Sequence, residues 1–271
     1  MARSPNAQLA ADQFHAIVAT NGYGKADAWK GIARLLLTCD IWQSQGWTKL
    51  HDVVVYRESN DFKQGNAVVE RAEKLTQYLA SQLGVNRASL CSVVGRYWAL
   101  TGILNSQPHN LVGHAFRSIL VEALKLFGDP GISYEEEVDP YVEFPGHKFV
   151  TRSKNPKIDI VARRGKVTVA LISARWRYRH DRVDLIDEAL AYAGAAKRTN
   201  PHCNLYAWVG EFSPSRLQKV LEHCPPLNSS GALAATVHFN PKLLTDGLSE
   251  NGRTVPLKSM DWLIGETFKW Q

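Results

Sequence analysis

The sequence predicts an α/β fold, a central mixed β-sheet flanked by helices, preceded by an all-helical N-terminal part. Three observations carry that expectation. The first hundred residues repeat apolar side chains at helical spacing, and beyond Pro108 strands begin to alternate with helices. The composition, 45% hydrophobic and 21% charged over 271 residues, is that of an ordinary globular chain. The expected organisation is a helical subdomain over 1–106 and a sheet-bearing domain over 107–271.

In the N-terminal part, Trp29, Ile32, Ala33, Leu36 and Leu37 fall on one face of a helix predicted over Ala26–Gln43. Val68, Val69, Ala72, Leu75 and Leu79 do the same for Asn66–Leu83, and a further helix is predicted over Arg87–Leu104. Gly22-Tyr23-Gly24 and Gly84-Val85-Asn86 punctuate the run. His51–Tyr56 suits either a short strand or a buried turn.

The second part opens with a helix over Asn110–Phe127, stopped by the breaker cluster Gly128-Asp129-Pro130-Gly131. Ile132–Phe144 alternates as a strand does, and Pro145–Pro156 reads as a loop. Lys157–Ala162 and Lys166–Ala174 form a strand pair turned at Arg163-Arg164-Gly165, and the apolar run Val167–Ile172 suits a strand buried on both faces. A helix over Val183–Lys197, a strand over Asn204–Gly210, a helix over Pro214–His223 and a strand over Ala234–Phe239 complete the pattern. Such an order argues for a mixed sheet with helices on both faces.

Composition narrows the function classes. No apolar run approaches the roughly 18–20 residues of a membrane span, and Met1-Ala2-Arg3-Ser4-Pro5-Asn6 leads into no signal-peptide hydrophobic stretch. A cytoplasmic protein without membrane contact is expected. Cys39, Cys91, Cys203 and Cys224 lack C-x-x-C spacing and read as free thiols; His202-Cys203 and His223-Cys224 match no zinc knuckle and read as packing. The net charge of +6 suits a polyanionic partner. Its distribution says more: Arg163, Arg164, Lys166, Arg175, Arg177, Arg179, His180 and Arg182 crowd into one segment.

That segment also holds the residues suited to chemistry. Asp159 stands among β-branched neighbours in its strand, where a carboxylate is costly to bury unpaired. By period-2 alternation Ser173 and Arg175 share a face of the next strand, and a hairpin brings them beside Asp159. Glu188, on the following helix, can point back toward the strand ends. An acidic pair, Asp159 and Glu188, beside the cation Arg175 is what Mg²⁺-assisted phosphodiester hydrolysis requires, since Mg²⁺ takes oxygen ligands, usually one or two carboxylates with phosphate and water. On the helix before the sheet, His114, Ser118 and Glu122 form a polar stripe at i, i+4, i+8. Glu122 there suits a second-metal or water-orienting role, or else a solvated stripe paired to Lys125 or Arg117.

The run Ser173-Ala174-Arg175-Trp176-Arg177-Tyr178-Arg179-His180-Asp181-Arg182, with Asp159 upstream and Glu188 downstream, resembles the CCGG-recognising type II restriction endonucleases of the PD-(D/E)xK superfamily. Their pattern is Asp, then Ser-x-Lys-Trp, then Arg-x-Asp-Arg, then Glu. The resemblance implies a restriction-endonuclease-like fold, Asp159 and Glu188 as Mg²⁺ ligands, Ser173 in the vacated acid position, Arg175 at the lysine and Glu122 as the additional helix acid. It also implies that Arg179, Asp181 and Arg182 read bases. Arg forks bind guanine O6 and N7 and a carboxylate accepts from cytosine N4, which supports that role independently. The implied activity is cleavage of double-stranded DNA at a palindrome with a CCGG core, leaving 5′ overhangs, by a homodimer without organic cofactor.

Two positions depart from the pattern. Arg175 replaces the family lysine, and a planar, permanently charged fork is not equivalent to a compact tunable ammonium. Ile158 stands where a proline would precede Asp159. Bland readings remain for single residues: Asp159 bridged to Lys157 or Arg163, Arg179-His180-Asp181-Arg182 as a solvated helix start, and Trp176 and Tyr178 as packing. Rival functions are a structure-specific or repair nuclease on the same fold and a non-cleaving DNA-binding protein.

Overall fold

The computed structural model describes residues 3, 5–37, 77–86, 107–150, 155–176, 189–211, 217, 233–245 and 257–271. Its helices are α1 (Pro5–Asn21), α2 (Ala28–Leu37), α3 (Gln107–Phe127), α4 (Pro140–Glu143), α5 (Gly194–Thr199), α6 (Lys242–Thr245) and α7 (Met260–Glu266). A helical stretch at 77–83 lies between α2 and α3. The strands are β1 (Ile132–Val138), β2 (Ile158–Arg164), β3 (Val167–Arg175), β4 (Asn204–Val209), β5 (Leu233–His238) and β6 (Lys258–Ser259). They form one six-stranded mixed sheet in chain order, β1-β2-β3 antiparallel and β3-β4-β5-β6 parallel. The α/β class and the mixed sheet expected from the sequence are therefore present.

α3 is the helix that organises the site. Ala115, Phe116, Ile119, Leu120, Ala123 and Leu124 recur at three- and four-residue spacing and are fully buried. Phe116 stacks on Trp208 of β4 at 4.8 Å and meets Trp176 edge-on at 5.0 Å. The helix ends where Gly128 closes it with a hydrogen bond to the Leu124 carbonyl at 2.8 Å. A Cβ at Gly128 would stand 2.5 Å from that oxygen, so only glycine permits the closure.

β3 and β4 are buried along nearly their whole length, so both faces of the sheet are covered. Phe116 lies on the Trp208 face, whereas Leu205, Ala207 and Val209 point the other way by alternation. The turn of π-helix Ala189–Ala193, leading into α5, packs at β4. Phe14 of α1, Ile32 of α2 and Leu79 belong to the same continuous buried cluster as α3 and the sheet.

Several expected elements differ in extent. The strand predicted to run to Phe144 stops at Val138, because Asp139 caps a new helix by accepting from Tyr141 N and Pro140 occupies its first turn. The hairpin turn is Gly165-Lys166, while Arg163 and Arg164 stay in β2. Gly165 takes φ +61°, a conformation that costs glycine least. β6 and α7 were not anticipated; β6 is two residues long, too short for any periodicity to mark. The predicted helix over Arg87–Leu104 and the 51–56 segment lie outside the described residues, as does most of Pro214–His223.

Candidate functional site

Asp159 is the second residue of β2. The ladder pairs Ile160 with Ile172 and Val161 with Leu171, so one step further Asp159 falls opposite Ser173. Its Oδ2 accepts from the Ala174 backbone N–H at 2.9 Å, from Arg175 Nη1 at 2.7 Å and from Ser173 Oγ at 3.3 Å. Three donors from one strand offset the cost of withdrawing the carboxylate from water. The hairpin thus brings together Asp159, Ser173 and Arg175. The other oxygen, Oδ1, faces Arg117 Nη1 of α3 at 3.9 Å. The alternative partners offered by the sequence are engaged elsewhere: Lys157 Nζ meets Asp139 at 3.3 Å, and Arg163 pairs with Glu135 and Glu143.

Trp176 follows this strand as a packing residue. It is buried against Phe116 and Phe239. Gly210 makes room for it: a Cβ there would lie 2.4 Å from the Trp176 ring, while Gly210 N–H donates to the Arg175 carbonyl at 3.0 Å.

Glu122 lies a short way along α3, buried rather than solvated. Arg3 Nη2 and Lys125 Nζ donate to its Oε1 at 2.6 and 2.9 Å, and His15 Nε2 meets Oε2 at 2.6 Å. Burial alone would raise this carboxyl, but the bonds from His15, Lys125 and Arg3 outweigh it and hold it down at about 2. Of the two alternatives for Glu122, the pairing to Lys125 is present; Arg117 turns instead to Glu136 and Glu137. Ser118 and Glu122 of the polar stripe are buried while His114 stays partly exposed, and each of the three meets a charged group.

Lys125 and Arg117 were named from the sequence as candidate partners; Arg3, His15, Glu136 and Glu137 were not. Glu136 Oε1 accepts from Arg3 Nε at 2.6 Å, and its Oε2 accepts from Ser118 Oγ at 2.6 Å and Arg117 Nε at 3.1 Å. Glu137 Oε1 lies 3.1 Å from Arg117 Nη1 and 3.3 Å from His114 Nδ1. Glu137 has φ +54°, a left-handed conformation uncommon for a residue with a Cβ. The one sequence signal was Glu135-Glu136-Glu137, three carboxylates on successive strand positions, so that both faces of β1 carry acid. Arg3 had no signal, since its partners lie 119 and 133 positions away.

As a metal ligand Asp159 fits in part. It is a hard oxygen donor whose Oδ1 stands 3.9 Å from Arg117 Nη1, beyond hydrogen-bond distance, which suits the one or two carboxylates that Mg²⁺ takes. Among the described residues no group of three His, Cys, Asp or Glu side chains stands as a metal cluster. Glu188, and with it Arg179, Asp181 and Arg182, lies outside the described residues. Cys203 is buried, and burial pushes its thiol up to about 12, as expected of a packing residue.

The site is thus a cation-flanked carboxylate at the start of β2 in an α/β protein with a six-stranded mixed sheet. Compared with known protein families, curated proteins and solved structures, the chain matches none. No helix among the described residues is long and apolar enough to cross a membrane.

Proposed function

We propose that this chain is a Mg²⁺-dependent type II restriction endonuclease on a restriction-endonuclease-like fold, cleaving double-stranded DNA at a palindrome with a CCGG core to leave 5′ overhangs. The observation that carries the reading is the meeting of Asp159, Ser173 and Arg175 across the β2–β3 hairpin, with Arg175 Nη1 2.7 Å from Asp159 Oδ2. The order of the elements agrees with it: a long helix, an antiparallel three-stranded meander, then a parallel strand beside β3.

Mg²⁺, when bound, would polarise the scissile phosphate and lower the pKa of an attacking water. Asp159 would supply one ligand and Glu188 a second. Arg175 would hold a phosphate oxygen and offset charge that develops in the transition state. Arg179, Asp181 and Arg182 would read the C·G pairs from the major groove, each good bidentate contact discriminating by about 1–3 kcal/mol. A palindromic site calls for a homodimer on the DNA, and the proposal places the reaction in the cytoplasm.

The test is a supercoiled plasmid incubated with Mg²⁺ and separately with Mn²⁺, the fragment ends then being sequenced. Discrete double-strand cuts at one palindrome are expected, and Asp159→Ala should abolish them while gel retention of the DNA persists. Full cleavage by Asp159→Ala would refute the assignment. One observation favours a second reading. The ion pair between Arg175 and Asp159 ties up an oxygen of the proposed ligand, as a DNA-binding protein that does not cleave would tolerate; a gel shift without any cut under either metal identifies that case.

A further inference from the structure

Arg117 is a buried guanidinium in the middle of α3, and all three of its nitrogens are committed. Nε donates to Glu136, Nη1 lies against Glu137, and Nη2 donates to His114 Nδ1 at 2.9 Å. A buried charge is costly unless paired on every side. Here the pairing also fixes direction, because Glu136 is itself held by Ser118 and Arg3. The fork is therefore oriented from behind, and its Nη1 edge is turned toward Asp159 Oδ1 at 3.9 Å.

That distance is too long for a hydrogen bond and short enough for strong attraction. β3 already fixes Oδ2 through the Ala174 N–H and Arg175. The carboxylate thus has one oxygen bonded and the other attracted but not capped. Glu137 stands across the β1–β2 ladder from Asp159, between the pairs Glu136–Ile160 and Val138–Ile158. Without a cation between them the two carboxylates would repel.

We infer that Arg117 is a positioning residue for Asp159: its guanidinium, anchored by Glu136 and Glu137, holds the Oδ1 of that carboxylate in place for its role as a ligand and keeps Glu137 from turning it away. This rests on the nuclease reading. Two effects of opposite sign follow. Arg117's positive charge opposes a nearby divalent cation, so its removal tightens metal binding. Its removal also releases the carboxylate, so the bound state reacts more slowly. A residue that merely supports the fold would weaken both together.

The test uses the full-length protein and Mn²⁺ as probe, with binding followed by electron paramagnetic resonance and cleavage measured at saturating Mn²⁺. Arg117→Gln is expected to lower the half-saturating Mn²⁺ concentration on the order of tenfold, from one unit charge removed near the ion, and to slow cleavage at saturation. Arg117→Lys, which keeps the charge without the fork, is expected to bind Mn²⁺ as the wild type does while still cleaving more slowly. It carries the test by itself should Arg117→Gln not fold. Unchanged or weaker Mn²⁺ binding in Arg117→Gln, or wild-type cleavage by Arg117→Lys, overturns the inference and leaves the nuclease reading standing. A wild-type protein that binds no Mn²⁺ overturns both.

Discussion

Replacing Glu122 by Gln keeps the shape of the side chain and removes its charge from among Arg3, His15 and Lys125. Holding the carboxyl at about 2, against 4.5 for a free glutamate, corresponds to about 3 kcal/mol of folding stability. Lys125 and His15 are nearly half exposed, and solvent screening of their share brings the expected loss to about 2 kcal/mol at pH 7. For a chain of this size that lowers Tm by roughly 4–8 °C. The sign follows from a depressed acid: its contribution is complete above 4.5 and is lost as pH falls through about 2. Urea denaturation of wild type and Glu122→Gln at pH 7 and pH 3 measures both. The penalty should shrink to about half at pH 3, because the unfolded wild type is by then protonated. An equal penalty at the two pH values, or one below about 0.5 kcal/mol at pH 7, would show that the charge is not what holds α1 and Arg3 to α3.

Two further changes probe the hairpin. Arg175→Lys restores the residue that the endonuclease pattern calls for and removes the fork that grips Asp159 Oδ2; plasmid cleavage in Mg²⁺ should rise severalfold, and a fall would show that the planar fork is itself needed. Gly210→Ala places a methyl 2.4 Å from the Trp176 ring, so an overpacking loss of about 1–3 kcal/mol is expected in urea unfolding, together with a change in tryptophan fluorescence. Wild-type stability and fluorescence in that variant would mean that Trp176 is not seated against Gly210.

The β2–β3 pair was legible because its signals are local. Alternation along Ile158–Val161, an apolar run at Val167–Ile172 and a glycine between them predict a hairpin, and a hairpin predicts that Asp159 meets Ser173 and Arg175. α3 was legible for the same reason, its apolar repeat being carried by the residues of one helix. The end of β1 was misjudged although Asp139-Pro140 spells a helix start: the apolar residues beyond it imitate strand alternation, and a local cap overrides that pattern. Apart from Lys125, the partners of Glu122, and those of Arg117, were hidden for a different cause. Ion pairs among Arg3, α1, α3 and β1 join positions up to 133 apart, and charge in a sequence carries no record of which opposite charge it will face.

By itself, then, the sequence determined the α/β class, the pairing of the central hairpin and the company Asp159 keeps on β3, because periodicity and turn chemistry act over a few residues. Only the tertiary structure decided that Ser118 and Glu122 of the α3 stripe are buried, that Arg3 bridges Glu122 and Glu136, and that Arg117 stands at the second oxygen of Asp159. Those choices depend on how helices pack over the sheet, where burial makes an unpaired charge too costly to leave and so selects partners from distant parts of the chain.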